Sequence, residues 1–142
     1  MLESCDAETM DQLDDALALV GDRWTLLIID ALLGGPKRFG ELAATVHGIA
    51  PNILTQRLRQ LESAGLLSAT PYSRRPLRLA YSLTDAGESL RSVVAVLRNW
   101  STRRSGGTGP THDACGTTLE LQPWCPTCER MVDPDHAELH HL

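Results

Sequence analysis

Apolar residues return along this chain at two different spacings, and the change from one to the other divides it into elements. Between Pro51 and Gly65, Leu54, Leu58 and Leu61 recur at i, i+4 and i+7. They therefore share one face of a helix, whose first turn suits Pro51 and whose left-handed exit suits Gly65. Upstream, the spacing predicts a helix over residues 11–20, with Leu13, Ala16, Leu17 and Val20 as its buried stripe and Gly21 as its break. A second helix follows at once; Trp24, Leu27, Ile28, Ala31 and Leu32 form its apolar face, and Gly34, Gly35 and Pro36 stop it. A short third helix covers residues 39–46 and turns Phe39, Leu42 and Val46 inward, with Gly48 marking the turn that follows. After Gly65 the period falls toward two. Residues 66–72 and 77–83 read as strands joined by Ser73-Arg74-Arg75-Pro76. Thr84 then caps a last helix carrying Leu90, Val93, Val94, Leu97 and Trp100, and a Gly- and Ser-containing loop follows over residues 105–111. The fold class expected is mainly α with a small β-hairpin, without internal repeats.

Two short helices around a glycine-containing turn make a helix-turn-helix, and the hairpin after it is a wing. Opposite the three leucines, the helix at 51–65 carries Asn52, Gln56, Arg59 and Ser63, flanked by Thr55 and Gln60. Asn and Gln can bond an adenine edge in two places and Arg a guanine edge, so this face has the chemistry to read a major groove. A merely solvated face more often interleaves Glu with Lys. The candidate DNA contacts are Asn52, Thr55, Gln56, Arg59 and Gln60, with Arg74 and Arg75 at the wing tip placed for a phosphate or a minor groove. The bland alternatives are a solvated helix face and an ordinary exposed turn. Arg57 sits nearer the core edge and either touches a phosphate or packs its stem across a neighbouring helix. Trp24, the leucines and Phe39 are assigned to the core. Glu62 and Asp85 are assigned to surface or capping roles.

Charge first argues against such a partner and then, taken by segment, for it. The 142 residues carry a net charge of -5. Residues 1–22 hold seven acids and no Lys or Arg, residues 23–104 hold twelve Lys or Arg against five acids, and residues 105–142 hold one Arg against six acids. The middle segment is therefore basic, and the local field at a contact surface matters more than the total. The length suits one domain plus a small appendage. Residues 1–10 lack the basic start and apolar core of a signal peptide, and the apolar patch at 24–33 is short and interrupted by Asp30, so a cytoplasmic protein is expected.

Three of the four cysteines lie between 115 and 128. In a reducing compartment they read as thiols or metal ligands rather than disulfides. His112-Asp113-Ala114-Cys115-Gly116 and Cys125-Pro126-Thr127-Cys128 supply two pairs of soft ligands, each pair separated by two residues. His112, Cys115, Cys125 and Cys128 would complete a closed tetrahedral set for one structural zinc, as in a zinc ribbon. The alternatives are a cluster of reduced thiols or a redox disulfide between Cys125 and Cys128. Cys5, His136, His140 and His141 are substitutes for His112. No open coordination position or adjacent Glu motif suggests a catalytic metal.

These motifs, in this order, resemble the HxlR-type, MarR-like family of bacterial winged-helix transcriptional regulators. The resemblance runs from about Leu13 to Trp100. It is carried by Gly21-Asp22-Arg23-Trp24-Thr25, by Arg38-Phe39-Gly40-Glu41-Leu42, by the helix with Leu54-Thr55, Leu58 and Leu61-Glu62, and by Tyr81-Ser82-Leu83-Thr84 followed by Gly87. The resemblance implies a homodimeric repressor or activator, paired mostly through its first and last helices, with one reader helix in each major groove. Some members of that family sense oxidants through a cysteine near the start of the first helix. Here Cys5 stands further upstream, beside Asp6, whose carboxylate raises a thiol pKa and disfavours the reactive thiolate. The organisation expected is a DNA-binding and dimerisation domain over residues 1–104, a linker over 105–111 and a zinc-ribbon-like appendage with its tail over 112–142. The function expected is that of a non-enzymatic regulator, a repressor acting as a homodimer on a pseudo-palindromic operator. The rivals are a zinc-stabilised protein-interaction module without DNA binding and a thiol redox protein using Cys125 and Cys128.

Overall fold

A glycine and an exposed helix end decide how the central helix meets the strands after it. The computed structural model describes residues 3–132, with side chains from residue 10 onward. Along the chain run α1 (Glu3–Val20), α2 (Arg23–Leu32), β1 (Lys37–Arg38), α3 (Phe39–Thr45), α4 (Pro51–Ser63), β2 (Leu67–Arg74), β3 (Leu77–Leu83), α5 (Asp85–Glu88), α6 (Arg91–Arg104), β4 (Trp124–Cys125) and β5 (Arg130–Met131). Gly65 takes φ +72° just past α4. Its N–H bonds Glu62 O at 3.0 Å and the Leu66 N–H bonds Leu61 O at 2.9 Å, a Schellman exit. Leu61 and Leu66 are both buried, which supplies the hydrophobic contact this motif favours. Thr84 fastens the same corner from the far side of the hairpin. Its hydroxyl donates to Gly65 O at 2.6 Å and accepts from the Gly87 N–H at 3.2 Å, capping α5. Gly87 is buried so tightly that any Cβ there would run into the Leu66 carbonyl.

The core joins Ile28, Ile29 and Leu32 from α2, Leu42 from α3, Leu54, Leu58 and Leu61 from α4, and Leu66 and Leu67 at the start of the wing. Trp24, Phe39, Tyr81 and Leu83 pack partly buried against it. The α4 leucines are at most 2% exposed, so the helical period located the buried face of that helix correctly. The three-stranded sheet has the order β1-β3-β2, all antiparallel neighbours. This is a winged helix-turn-helix.

Several expectations need correction. Helix α1 begins at Glu3 rather than residue 11, and Leu13, Ala16 and Leu17 are exposed, not buried; only Val20 of the expected stripe reaches the core. A helical spacing identifies an apolar face but not what covers it. On α2, Leu27 is exposed while Thr25 and Ile29 are buried, because the helix is enclosed on more than one side. β1 went unanticipated, since two residues are too few to display a period. β2 runs on to Arg74, leaving Arg75 and Pro76 as the turn. The single helix expected after Thr84 is two, because the ladder tightens at Leu90, whose N–H bonds Gly87 O at 3.1 Å before α6 resumes.

By its contacts the chain forms two units, residues 12–94 and residues 1–11 with 95–142. The sequence boundary at 105–111 and this division part the chain at different points, the latter inside α6. Within the second unit, α6 closes with Gly106 and Gly107 bonding back to Arg103 O and Thr102 O, each at 3.0 Å. Arg103 then ties the appendage to the helix, bonding Asn99 Oδ1 and Leu119 O, each at 3.3 Å. The appendage is two tight hairpins, one bridged at Thr111 and Thr118 and the other made by β4 and β5. Among the described residues, no helix is long and apolar enough to cross a membrane.

Candidate nucleic-acid interface

The helix α4 owes its exposed chemistry to the same spacing that buries its leucines. Asn52, Gln56, Arg59, Gln60 and Ser63 are exposed, and Thr55 is half-buried with its hydroxyl bonded to Pro51 O at 2.9 Å. Thr55 thus spends its hydroxyl donor on its own helix, and its hydroxyl oxygen keeps a lone pair to accept with. Gln60 is braced by Arg57, whose Nη1 donates to Gln60 Oε1 at 2.6 Å. Arg57 itself turns back to the body of the protein. Its Nε lies 3.3 Å from Asp22 Oδ1, close enough for an ion pair but not aligned for a hydrogen bond. Of the two roles open to it from sequence, the structure shows it packed and paired.

Asp22 organises that corner. It caps α2, accepting from the Trp24 and Thr25 N–H groups at 2.9 and 3.1 Å and from the Thr25 hydroxyl. Partial burial works against its charge. The Thr25 hydroxyl, the two N–H groups and the Arg57 guanidinium outweigh it, and the carboxyl falls below its ordinary value. Beside this corner an open hollow of about 460 Å³ is lined by Leu19 of α1, Asp22, and Arg57, Arg59, Gln60 and Ser63 of α4. The charges of α4 are also felt on the sheet. Burial and the Glu62 carboxylate hold the Tyr81 phenol above its usual value, with the Arg59 charge opposing them.

On the wing, Arg74 ends β2 opposite Leu77 and Arg75 occupies the turn, both exposed. The Ser73 hydroxyl closes the turn on Pro76 O at 3.0 Å. Three further cations on the sheet were not among the DNA contacts expected from sequence: Lys37, Arg38 and Arg78. Arg38 lies over the Tyr72 ring, its guanidinium carbon 4.3 Å from the centroid. The adjacent pair Lys37-Arg38 was the available signal, but its place on the sheet depends on pairing with β3, which no local pattern announces.

In the appendage the four proposed zinc ligands meet as two pairs. His112 Nδ1 and Cys115 Sγ are 3.3 Å apart, on a turn where the Gly116 N–H bonds His112 O at 2.7 Å. Hydrogen bonding with the side chain and backbone of Thr117 draws the Cys115 thiol below its ordinary value. The Cys128 N–H and thiol, then the Thr127 N–H, and lastly the Arg130 charge do the same for Cys125. Among the described residues, no three His, Cys, Asp or Glu side chains converge where one ion could bind them. The donor chemistry suits zinc, but this arrangement does not join the pairs into one tetrahedral set. Cys5 belongs to α1 by its backbone alone, its side chain lying outside those described, and His136, His140 and His141 lie outside the described residues.

The profile of the HxlR-like helix-turn-helix family matches residues 19–106. An uncharacterised HTH-type transcriptional regulator of Mycobacterium tuberculosis is 40% identical over 118 residues, covering 80% of this chain and 74% of that protein. The reduced form of the transcriptional regulator YodB from Bacillus subtilis superposes with a TM-score of 0.57 at 33% identity, covering 65% of this chain and 90% of its own. The redox regulator HypR in its reduced form superposes with a TM-score of 0.62 at 28% identity, covering 66% and 93%. YodB is matched in diamide-treated and quinone-bound forms as well.

Proposed function

The chain belongs to the HxlR-like helix-turn-helix family of transcriptional regulators, and from that premise we propose that it binds DNA as a homodimer and represses transcription at a pseudo-palindromic operator. The observation that carries this reading is the division of α4 into a fully buried leucine face and an exposed face of Asn52, Gln56, Arg59 and Gln60. In a helix-turn-helix those groups enter the major groove and read base edges, while Arg74 and Arg75 of the wing hold phosphates or the minor groove. The protein works in the cytoplasm and needs no catalytic step.

Two exposed apolar stripes support the dimer. On α1, Met10, Leu13 and Leu17 follow one another at i, i+3 and i+7, each more than half exposed. On α6, Val93, Leu97 and Trp100 stand at i, i+4 and i+7 and are 41%, 44% and 59% exposed. A soluble monomer seldom leaves such stripes to water. Dimeric helix-turn-helix proteins engage half-sites about one helical turn apart, the spacing expected of the operator.

Selection of duplexes from a random pool by the purified protein tests the reading. A pseudo-palindrome with salt-dependent affinity is expected; a pool that is never enriched would defeat it. For the appendage, one zinc held by His112, Cys115, Cys125 and Cys128 remains the proposal, supported by the paired donors. It requires the two hairpins to close further than they do here, and native mass spectrometry decides between one zinc and none. A second reading, thiol sensing, is favoured by the hydrogen-bonded Cys125 and Cys128. Their two thiols would pass two electrons and two protons to an oxidant such as diamide and form a disulfide. A loss of DNA affinity with diamide that Cys125→Ser abolishes would establish it, and a loss that Cys5→Ser abolishes would move the sensor to the first helix.

A further inference from the structure

Arg38 stands opposite Ala80 across the β1–β3 ladder, and Ala80 stands opposite Thr70 across β3–β2. Cross-strand partners share a face of a sheet, and Arg78, two residues along β3 from Ala80, shares it as well. The neighbouring positions turn the other way: Tyr81 and Leu83 pack against the core. Tyr72 is the extra residue at the register shift between Pro71 and Ser73. Freed from ladder pairing, its ring reaches Arg38, whose guanidinium carbon lies 4.3 Å from the ring centroid.

We propose that Arg38, stacked on Tyr72, is a seat for a backbone phosphate of DNA, with Arg78 on the same outward face as its electrostatic support. The proposal rests on the DNA-binding reading and extends it from the reader helix and wing tip to the start of α3. Stacking occupies one flat side of the guanidinium and limits its rotation. Its N–H edge stays available, and that edge matches the in-plane oxygens of a phosphodiester. A carboxylate of the protein itself is the obvious competitor for the cation. The nearest one along the chain, Glu41, is already engaged by the Arg38 backbone N–H, which donates to Glu41 Oε2 at 2.6 Å. That bond also fixes the backbone from which the Arg38 side chain leaves. Arg38 takes part in none of the ion pairs found among the described residues. A phosphate is the same at every nucleotide, so this seat adds affinity and register without sequence preference.

Anisotropy titrations over a range of salt, on a duplex selected from the random pool and on a scrambled duplex of equal composition, test it. Arg38→Ala is expected to weaken both by on the order of tenfold and to lower the salt slope by about 1. Arg38→Lys keeps the slope but binds more weakly, because it lacks the fork and the flat face. Tyr72→Phe matches the wild type, and Tyr72→Ala falls toward Arg38→Ala. An Arg38→Ala protein that binds both duplexes like the wild type overturns the seat, as does one that loses only the selected duplex. If Arg38→Ala melts early, wild-type binding by both Arg38→Lys and Tyr72→Ala overturns it instead. Arg59→Ala separates this seat from the underlying reading: it should erode the preference for the selected duplex, whereas Arg38→Ala preserves it. A wild-type protein that binds neither duplex sinks the DNA-binding reading itself.

Discussion

Helices α1 and α4 carry the same kind of apolar spacing and meet opposite fates. In α4, Leu54, Leu58 and Leu61 are 0%, 2% and 1% exposed; in α1, Leu13 and Leu17 are 55% and 54% exposed. The α4 stripe finds its partners within its own chain, in α2, α3 and the first residues of the wing. Among the described residues, only Val20 of the α1 stripe joins that core. Periodicity states that a face must be dehydrated, but the partner that does so is a tertiary or quaternary matter. The exposed α1 stripe is the surface that the proposed dimer would cover.

Truncation inside α4 should have the largest effect. Leu54→Ala removes a fully buried side chain, and a loss of about 3 kcal/mol is expected in urea unfolding. Charging the α1 stripe sharpens the contrast. The double change Leu13→Glu and Leu17→Glu should leave a folded chain that sediments at the monomer mass of 15.5 kDa and loses operator affinity. A variant that still sediments as a dimer would break the comparison. Ranking next, Gly65→Ala places a Cβ at φ +72° and should cost about 1–2 kcal/mol by loosening the exit of α4.

Asp22→Asn gives the smallest loss, about 1 kcal/mol, since the amide oxygen can still cap α2 while the Arg57 pair is lost. Its pH dependence gives the sign. The folded carboxyl lies below the ordinary value of 3.8, so its contribution is fully present above that value and disappears as pH falls through the lower folded value. Acid unfolding curves of the wild type and of Asp22→Asn should therefore converge at low pH and separate above it. Parallel curves would show that Asp22 does not act through its charge.

Local signals carried much of the winged helix. Pro51 and Gly65 bracket α4, and Thr84 marks the next cap, because each residue type answers a backbone requirement that is complete within one turn. The outward face of α4 was legible for the same reason, since placing the leucines inward places Asn52, Gln56 and Arg59 outward. Arg38 was not. Its role on the sheet depends on β1 finding β3, more than forty residues away, and on the bulge that frees Tyr72.

What the chain determined by itself is therefore the set of elements whose stabilising groups lie within a few residues: the helices with their caps, the hairpin and the polarity of each face. Tertiary structure alone decided which apolar faces were covered, that Arg57 would turn inward to Asp22, and that Tyr72 would lie beneath Arg38. It also left His112 and Cys115 apart from Cys125 and Cys128, although the spacing within each pair invited one shared site. The physical reason is range. Capping and periodicity act over one or two turns, whereas burial and cross-strand placement join residues whose separation in sequence carries no trace of their contact.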